Sequence, residues 1–122
     1  VMAYGFLKRV FEVFEKYRTP IDMITTSEIA VSLTIDNSDH LKEIIEEIGK
    51  YATVEVDREQ AIICIVGDHI ASRKGVGTAI FEAMEEIPIR MISYGGSRNN
   101  ISLLVPHEYM KDSLIKLHKA LF

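Results

Sequence analysis

The sequence predicts an α+β fold: two tandem copies of a small βαββαβ unit, each an antiparallel sheet with its helices on one face. Three observations carry this expectation. Apolar residues switch along the chain between a helical period and a strand period. A set of residues recurs about 70 positions on, too long a period for a solenoid. The composition is globular: 122 residues, 48% hydrophobic and 26% charged, which excludes intrinsic disorder. At this length folding buries roughly two-thirds of the extended chain's surface, enough for a core without disulfides.

The first helix is expected over 5–18, where Phe6, Leu7, Val10, Phe11, Phe14 and Tyr17 recur at helical spacing between charged residues. Pro20 ends it, because the residue before a proline avoids the α region. Ile21 to Thr25 is a short strand and Thr26-Ser27-Glu28 a turn. Ile29 to Ile35 alternates, with Ile29, Val31, Leu33 and Ile35 on one face. Ser38 is the expected N-cap of a helix to about Lys50, with Asp39 in its first turn and Leu41, Ile44, Ile45 and Ile48 inside. Thr53 to Val56 is the next strand. The second set runs as strand Ala61–Val66, helix 74–86 with Val76, Ile80, Ala83 and Met84 inside, strand Ile89–Ser93, a loop from Tyr94 to Ser97, strand Ile101–Val105, and a helix over 108–121. That last helix turns Met110, Leu114, Leu117 and Leu121 inward.

The two sets look like copies. Gly5, Phe11, Glu12 and Glu15 recur as Gly75, Phe81, Glu82 and Glu85. Pro20-Ile21-Asp22-Met23-Ile24-Thr25 recurs as Pro88-Ile89-Arg90-Met91-Ile92-Ser93, and Ser32-Leu33 as Ser102-Leu103. The element order is that of a ferredoxin-like unit. The expected domains are 1–58 and 59–122. The first copy is expected to lack its opening strand and the second its closing strand, which suggests a fragment boundary at residue 1. One face of each sheet carries helices. The other needs company, from the second unit or from another chain.

Several function classes are disfavoured. The longest apolar runs, such as Ala61 to Val66, fall far short of the ~20 residues of a membrane span, and no secretory leader opens the chain. A single cysteine, Cys64, fits a reducing, cytoplasmic setting and is expected in the core. The formal charge of −4 argues against a nucleic-acid surface. An RNA-binding sheet would also need exposed aromatics that the strands lack. Gly75-Val76-Gly77 opens a helix, but a dinucleotide fingerprint needs a third glycine where Ile80 stands. His40, His69, His107 and His118 are scattered without metal-ligand spacing and are expected to face solvent. No nucleophile–base pair stands out, so no catalytic residue, cofactor site or metal site is assigned to this chain.

The informative stretch is Asp22 to Glu28. A helix start at Gly5-Phe6-Leu7 offers free N–H groups to a carboxylate. Asp22 and Glu28 offer two carboxylates to ammonium groups, and Thr25, Thr26 and Ser27 offer hydroxyls. On chemistry alone two readings stand: solvated turn acids, or a receptor for a free amino acid, above all a cationic one. In the second copy Asp22 becomes Arg90 and Glu28 aligns with Arg98. A cationic effector would therefore bind the first copy only.

These strings resemble the regulatory region of aspartate kinases: Gly5-Phe6-Leu7, Val10-Phe11 and Asp22 through Ile29. The second half agrees at Val66-Gly67-Asp68, Gly75-Val76-Gly77, Arg90 through Ser97, Asn100-Ile101 and Leu117 through Phe122. The resemblance runs nearly end to end and implies two tandem ACT domains, ferredoxin-like amino-acid-sensing modules. Ile24-Thr25-Thr26-Ser27-Glu28 is most similar to the lysine-inhibited, monofunctional class. That class implies L-lysine as effector, bound in the first ACT domain at a homodimer interface. Carried over by position, Phe6 and Leu7 supply the helix-start backbone and Ile21 walls the pocket. Asp22 and Glu28 hold the ammonium groups, and Thr26 and Ser27 line the site. The family often has a serine where this sequence has Ala3. The resemblance also implies a kinase domain upstream, carrying the ATP, Mg and aspartate sites. The competing expectation is a free-standing tandem ACT protein that binds another amino acid or only dimerises; a ferredoxin-like hydrolase or RNA binder is the weakest alternative.

Overall fold

In the computed structural model, which describes residues 5–27 and 30–122, the chain divides into two compact units, 1–56 and 57–122. The elements are helix α1 (Phe6–Lys16), strands β1 (Ile24–Thr26) and β2 (Val31–Leu33), helix α2 (Leu41–Ile48), strand β3 (Gln60–Val66), helix α3 (Val76–Ala83), strands β4 (Met91–Ser93) and β5 (Asn100–Pro106), and helix α4 (Met110–Leu121). Short 3₁₀ turns at Ile70–Ser72 and His107–Tyr109 precede α3 and α4.

The second unit shows how alternation builds the layers. β3, β5 and β4 form an antiparallel sheet in that spatial order. β3 and β4 thus lie on either side of β5, and α3 carries the chain across, as a split βαβ unit requires. Ala61, Ile63 and Ile65 of β3 turn inward with Ile101, Leu103 and Val105 of β5. Val76 and Ile80 of α3 and Leu117 of α4 meet them, so both helices cover the same sheet face. Ile80, Ile101, Leu103 and Val105 are fully buried, each contributing about 1.5–3 kcal/mol from burial alone.

In the first unit β1 and β2 form an antiparallel pair, Ile24 opposite Leu33 and Thr26 opposite Val31. Val10 and Phe14 of α1 meet Ile44 of α2 in the core, flanked by Phe6, Ile21, Leu33 and Ile35. Lys16 of α1 is paired with Glu47 of α2. The bond holds the Glu47 carboxyl below its ordinary value and raises the Lys16 ammonium.

Several expectations are corrected. Thr53–Val56 is in no strand, because extended chain becomes a strand only where it finds a ladder, and the described ladder of this unit is β1–β2. Ser38 is not the cap of α2: the helix begins at Leu41, and the Asn37 side chain accepts the Asp39 N–H at 2.9 Å before it. Cys64 is exposed, not core. The strand period sends Ile63 and Ile65 inward and Cys64 outward, where its Sγ lies 3.6 Å from Ser102 Oγ. Phe11 and Leu114 are exposed on their helices, and Ser113 takes the buried place on α4. No helix among the described residues is long and apolar enough to cross a membrane.

Candidate functional site

Gly5 opens α1 with φ 85°, the left-handed region that a side chain resists. An α-helix leaves the N–H groups of its first turn without partners inside the helix, and the dipole makes that end positive. Phe6 and Leu7 are the first two helical residues, and both are half-buried. The Phe6 ring stands edge-on to Tyr51, 5.9 Å between centroids, which fixes the helix start against the chain that follows α2.

Asp22 is held by its backbone. Its N–H donates to Thr34 O at 2.9 Å, while the Thr34 N–H donates to Met23 O at 2.9 Å. The Met23 N–H donates to Thr34 Oγ1, also at 2.9 Å. Two residues thus face one, the arrangement of a bulge, a device that re-aims a side chain at a strand end. Ile21 is half-buried in the core on one side and Met23 is buried on the other, leaving Asp22 exposed between them. Further along, Thr26 pairs with Val31, and the Ser27 N–H donates to Ala30 O at 2.9 Å, closing the hairpin turn.

The structure therefore brings Phe6 and Ile21 onto one core and strings Asp22, Thr26 and Ser27 along one exposed strand and turn. Leu7 sits at the helix start beside Phe6. Glu28 and Ala3 lie outside the described residues. Sequence reasoning missed Thr34. Its hydroxyl and carbonyl together anchor the two residues around Asp22, and its place directly before Ile35 in the alternating strand gave only a polar position, not a role.

Two open grooves are lined by residues outside this constellation. One, of about 390 Å³, runs between α1 and α2 and is lined by Arg9, Lys16, Glu47 and Tyr51. The other, of about 700 Å³, lies between β3 and α4 and is lined by apolar residues including Ile65, Leu114 and Phe122. Among the described residues of the candidate constellation, Asp22, Thr26 and Ser27 are exposed, while Phe6, Leu7 and Ile21 are half-buried.

The second unit repeats the frame with different side chains. The Arg90 N–H donates to Leu104 O at 2.8 Å, and Met91 also faces Leu104. The Arg90 guanidinium is paired with Asp57 at the surface. Arg98 is exposed, and its carbonyl accepts the Ala71 N–H at 2.9 Å. The acid of the first unit is replaced by a base already neutralised by a neighbour.

The ACT domain family matches residues 63–121. The lysine-sensitive aspartokinase 3 of Escherichia coli K12 is 36% identical over 126 residues, covering 97% of this chain and 28% of that protein. A structure described as a C-terminal regulatory domain of aspartate kinase from Porphyromonas gingivalis W83 superposes with a TM-score of 0.88 at 43% identity, over 100% of this chain and 84% of that one. E. coli aspartokinase III in complex with lysine and aspartate, in its T-state, superposes with a TM-score of 0.83 at 36% identity, over 98% of this chain and 28% of that one. The chain spans about a quarter of the length of the curated relatives it matches. With four α-helices and antiparallel sheets among the described residues and this end-to-end likeness, the chain belongs to the ACT-domain family and is homologous to the C-terminal regulatory region of aspartokinases.

Proposed function

We propose that this chain is the effector-sensing module of an aspartate kinase and that its effector is L-lysine. The observation that carries the reading is Asp22: the same bulged backbone position holds an acid in the first unit and a base in the second. A lysine carboxylate would meet the N–H groups of Phe6 and Leu7. Its ammonium groups would meet Asp22 and Glu28, with Ile21 as a wall and the Thr26 and Ser27 hydroxyls as further partners. The lysine sensitivity of the E. coli relative and the lysine in its T-state complex support the choice of ligand.

The first ACT domain is taken as 1–58 and the second as 59–122, in a cytoplasmic protein that pairs with a second copy through its ACT domains. A covalently attached kinase domain would transfer phosphate from ATP, with Mg, to the β-carboxylate of aspartate. This chain would hold neither cofactor and catalyse nothing itself. Lysine would bias the attached kinase toward an inactive state, which requires that it bind the two states with different affinity. The alternative, a free-standing tandem ACT protein that binds another amino acid or only dimerises, shares the fold and lacks the kinase.

Isothermal titration of the chain with L-lysine, and in parallel with L-threonine, tests this. Heat from lysine alone, at about one site per chain, is the expected result. Heat from threonine alone overturns the choice of effector. Silence from both, repeated in a chain extended upstream, leaves a dimerisation module.

A further inference from the structure

The paired strands of the two hairpins correspond in register. Thr25 faces Ser32 in the first, and Ser93 faces Ser102 in the second. One step on, Thr26 faces Val31, and Tyr94 stands at the equivalent place after Ser93. The helix starts correspond as well. Gly5 and Gly75 open α1 and α3 with φ 85° and 81°, so Leu7 and Gly77 are equivalent second residues.

These two positions have exchanged size. The first unit has Leu7 on the helix and Thr26 at the strand end. The second has Gly77 on the helix and Tyr94 at the strand end. A Cβ on Gly77 would stand 3.6 Å from Tyr94 Cε2 and 3.8 Å from its hydroxyl oxygen. The phenol ring therefore lies within van der Waals range of the Cβ position of Gly77, beside the first turn of α3. The ring is 42% exposed. It leans over the helix start from outside the core, so its removal leaves the core residues of this unit in place. The following loop carries two extra residues, Gly95 and Gly96, the first with φ 106°. Glycine there frees the chain to turn away once the ring is seated.

We infer that Tyr94 closes the second unit's counterpart of the effector site, making it the residue that restricts amino-acid binding to the first unit. This rests on the reading of the first unit as an amino-acid receptor. The charge at Arg90 decides which ligand the second position would prefer; the Val76 N–H already donates to Arg73 O at 3.4 Å, and Tyr94 stands against the next residue, Gly77, where a ligand would approach. A threonine-sized residue, as at Thr26, would leave that approach open.

The test uses backbone amide chemical shifts of the whole chain as wild type, Tyr94→Ala, Tyr94→Thr and Tyr94→Phe. Each is titrated with L-threonine and L-glutamate, read at Gly75, Val76 and Gly77, and with L-lysine, read at Phe6 and Leu7. The expected result is a saturable shift of the α3 amides in both Tyr94→Ala and Tyr94→Thr, and no saturable shift in wild type. Tyr94→Phe keeps the ring and stays silent. Saturable shifts of the α3 amides in wild type overturn the inference. So does silence of those amides in a dispersed spectrum of either opened variant. Failure of lysine at Phe6 and Leu7 strikes the effector reading instead, because a different set of amides reports it.

Discussion

Asp22 and Arg90 occupy one place in two copies of the same bulged hairpin. Each donates its N–H across the strand pair, Asp22 to Thr34 at 2.9 Å and Arg90 to Leu104 at 2.8 Å. The backbone is the same and the charge is opposite. If the two units differ in ligand, the exposed side chains at this shared position are where that difference would first be read.

The first prediction is a difference between these two residues. Asp22→Ala removes a charge-assisted partner and is expected to weaken lysine binding by ~1–3 kcal/mol. Asp22→Arg, which copies the second unit, is expected to abolish it. Arg90→Ala touches only a surface pair with Asp57 and should leave lysine affinity unchanged. Titration calorimetry on the three variants reads all of this. Wild-type affinity in Asp22→Ala would remove Asp22 from the site.

The repeat made much of this legible in the sequence. Pro20 to Thr25 against Pro88 to Ser93 gave the correct equivalence of Asp22 and Arg90, and the structural register reproduces it. Periodicity located part of the core of the second unit, through Val76, Ile80, Met84 and Leu117. Two things were not legible. The unbroken apolar run from Ala61 to Val66 hid its own alternation, so Cys64 read as core though it faces out. The ring of Tyr94 over Gly77 is a contact between residues 17 apart that neither period announces; only the size exchange with Leu7 and Thr26 hints at it.

Helix entry should separate the glycines. Gly75 and Gly5 stand at φ 81° and 85°, with open space where a Cβ would go. Alanine at either meets no atom but must hold a left-handed backbone, at about 1–2 kcal/mol. Gly96 also has open space and no positive φ. Gly96→Ala should be neutral or stabilising by about 0.4–1 kcal/mol, because it narrows the unfolded ensemble. Urea denaturation of the three variants checks the contrast, and equal losses would point away from backbone strain.

The pair joining α1 to α2 gives a pH dependence with a definite sign. Hydrogen bonding to Lys16 lowers the Glu47 carboxyl below 4.5 in the folded chain. Its contribution is then present above pH 4.5 and is lost as pH falls through the lowered folded value. The Lys16 ammonium is raised above 10.5, first by its hydrogen bond to Glu47, so its contribution is full below that pH and is lost as pH rises through the raised value. Both groups are at the surface, so the effect is small and shrinks with added salt. Thermal melts of Glu47→Gln against wild type should differ at pH 7 and converge in acid. A gap that widens in acid would reverse the assignment.

The last helix supplies a test in which pattern and packing disagree. Spacing places Leu114 on the inner face of α4, yet it is 50% exposed, and its neighbour Ser113 is fully buried. The Ser113 hydroxyl has no partner among the described residues. A buried hydroxyl without a hydrogen bond costs about 1–3 kcal/mol, and alanine is also the better helix former. Ser113→Ala is therefore expected to stabilise the chain by roughly 1 kcal/mol. Leu114→Ala should fall within about 0.5 kcal/mol of wild type, as surface substitutions do, where a core leucine would cost about 2–5 kcal/mol. Urea midpoints for both variants decide it. A large loss in Leu114→Ala would mean that this face of α4 is covered in solution, and a loss in Ser113→Ala would mean that its hydroxyl has a partner after all.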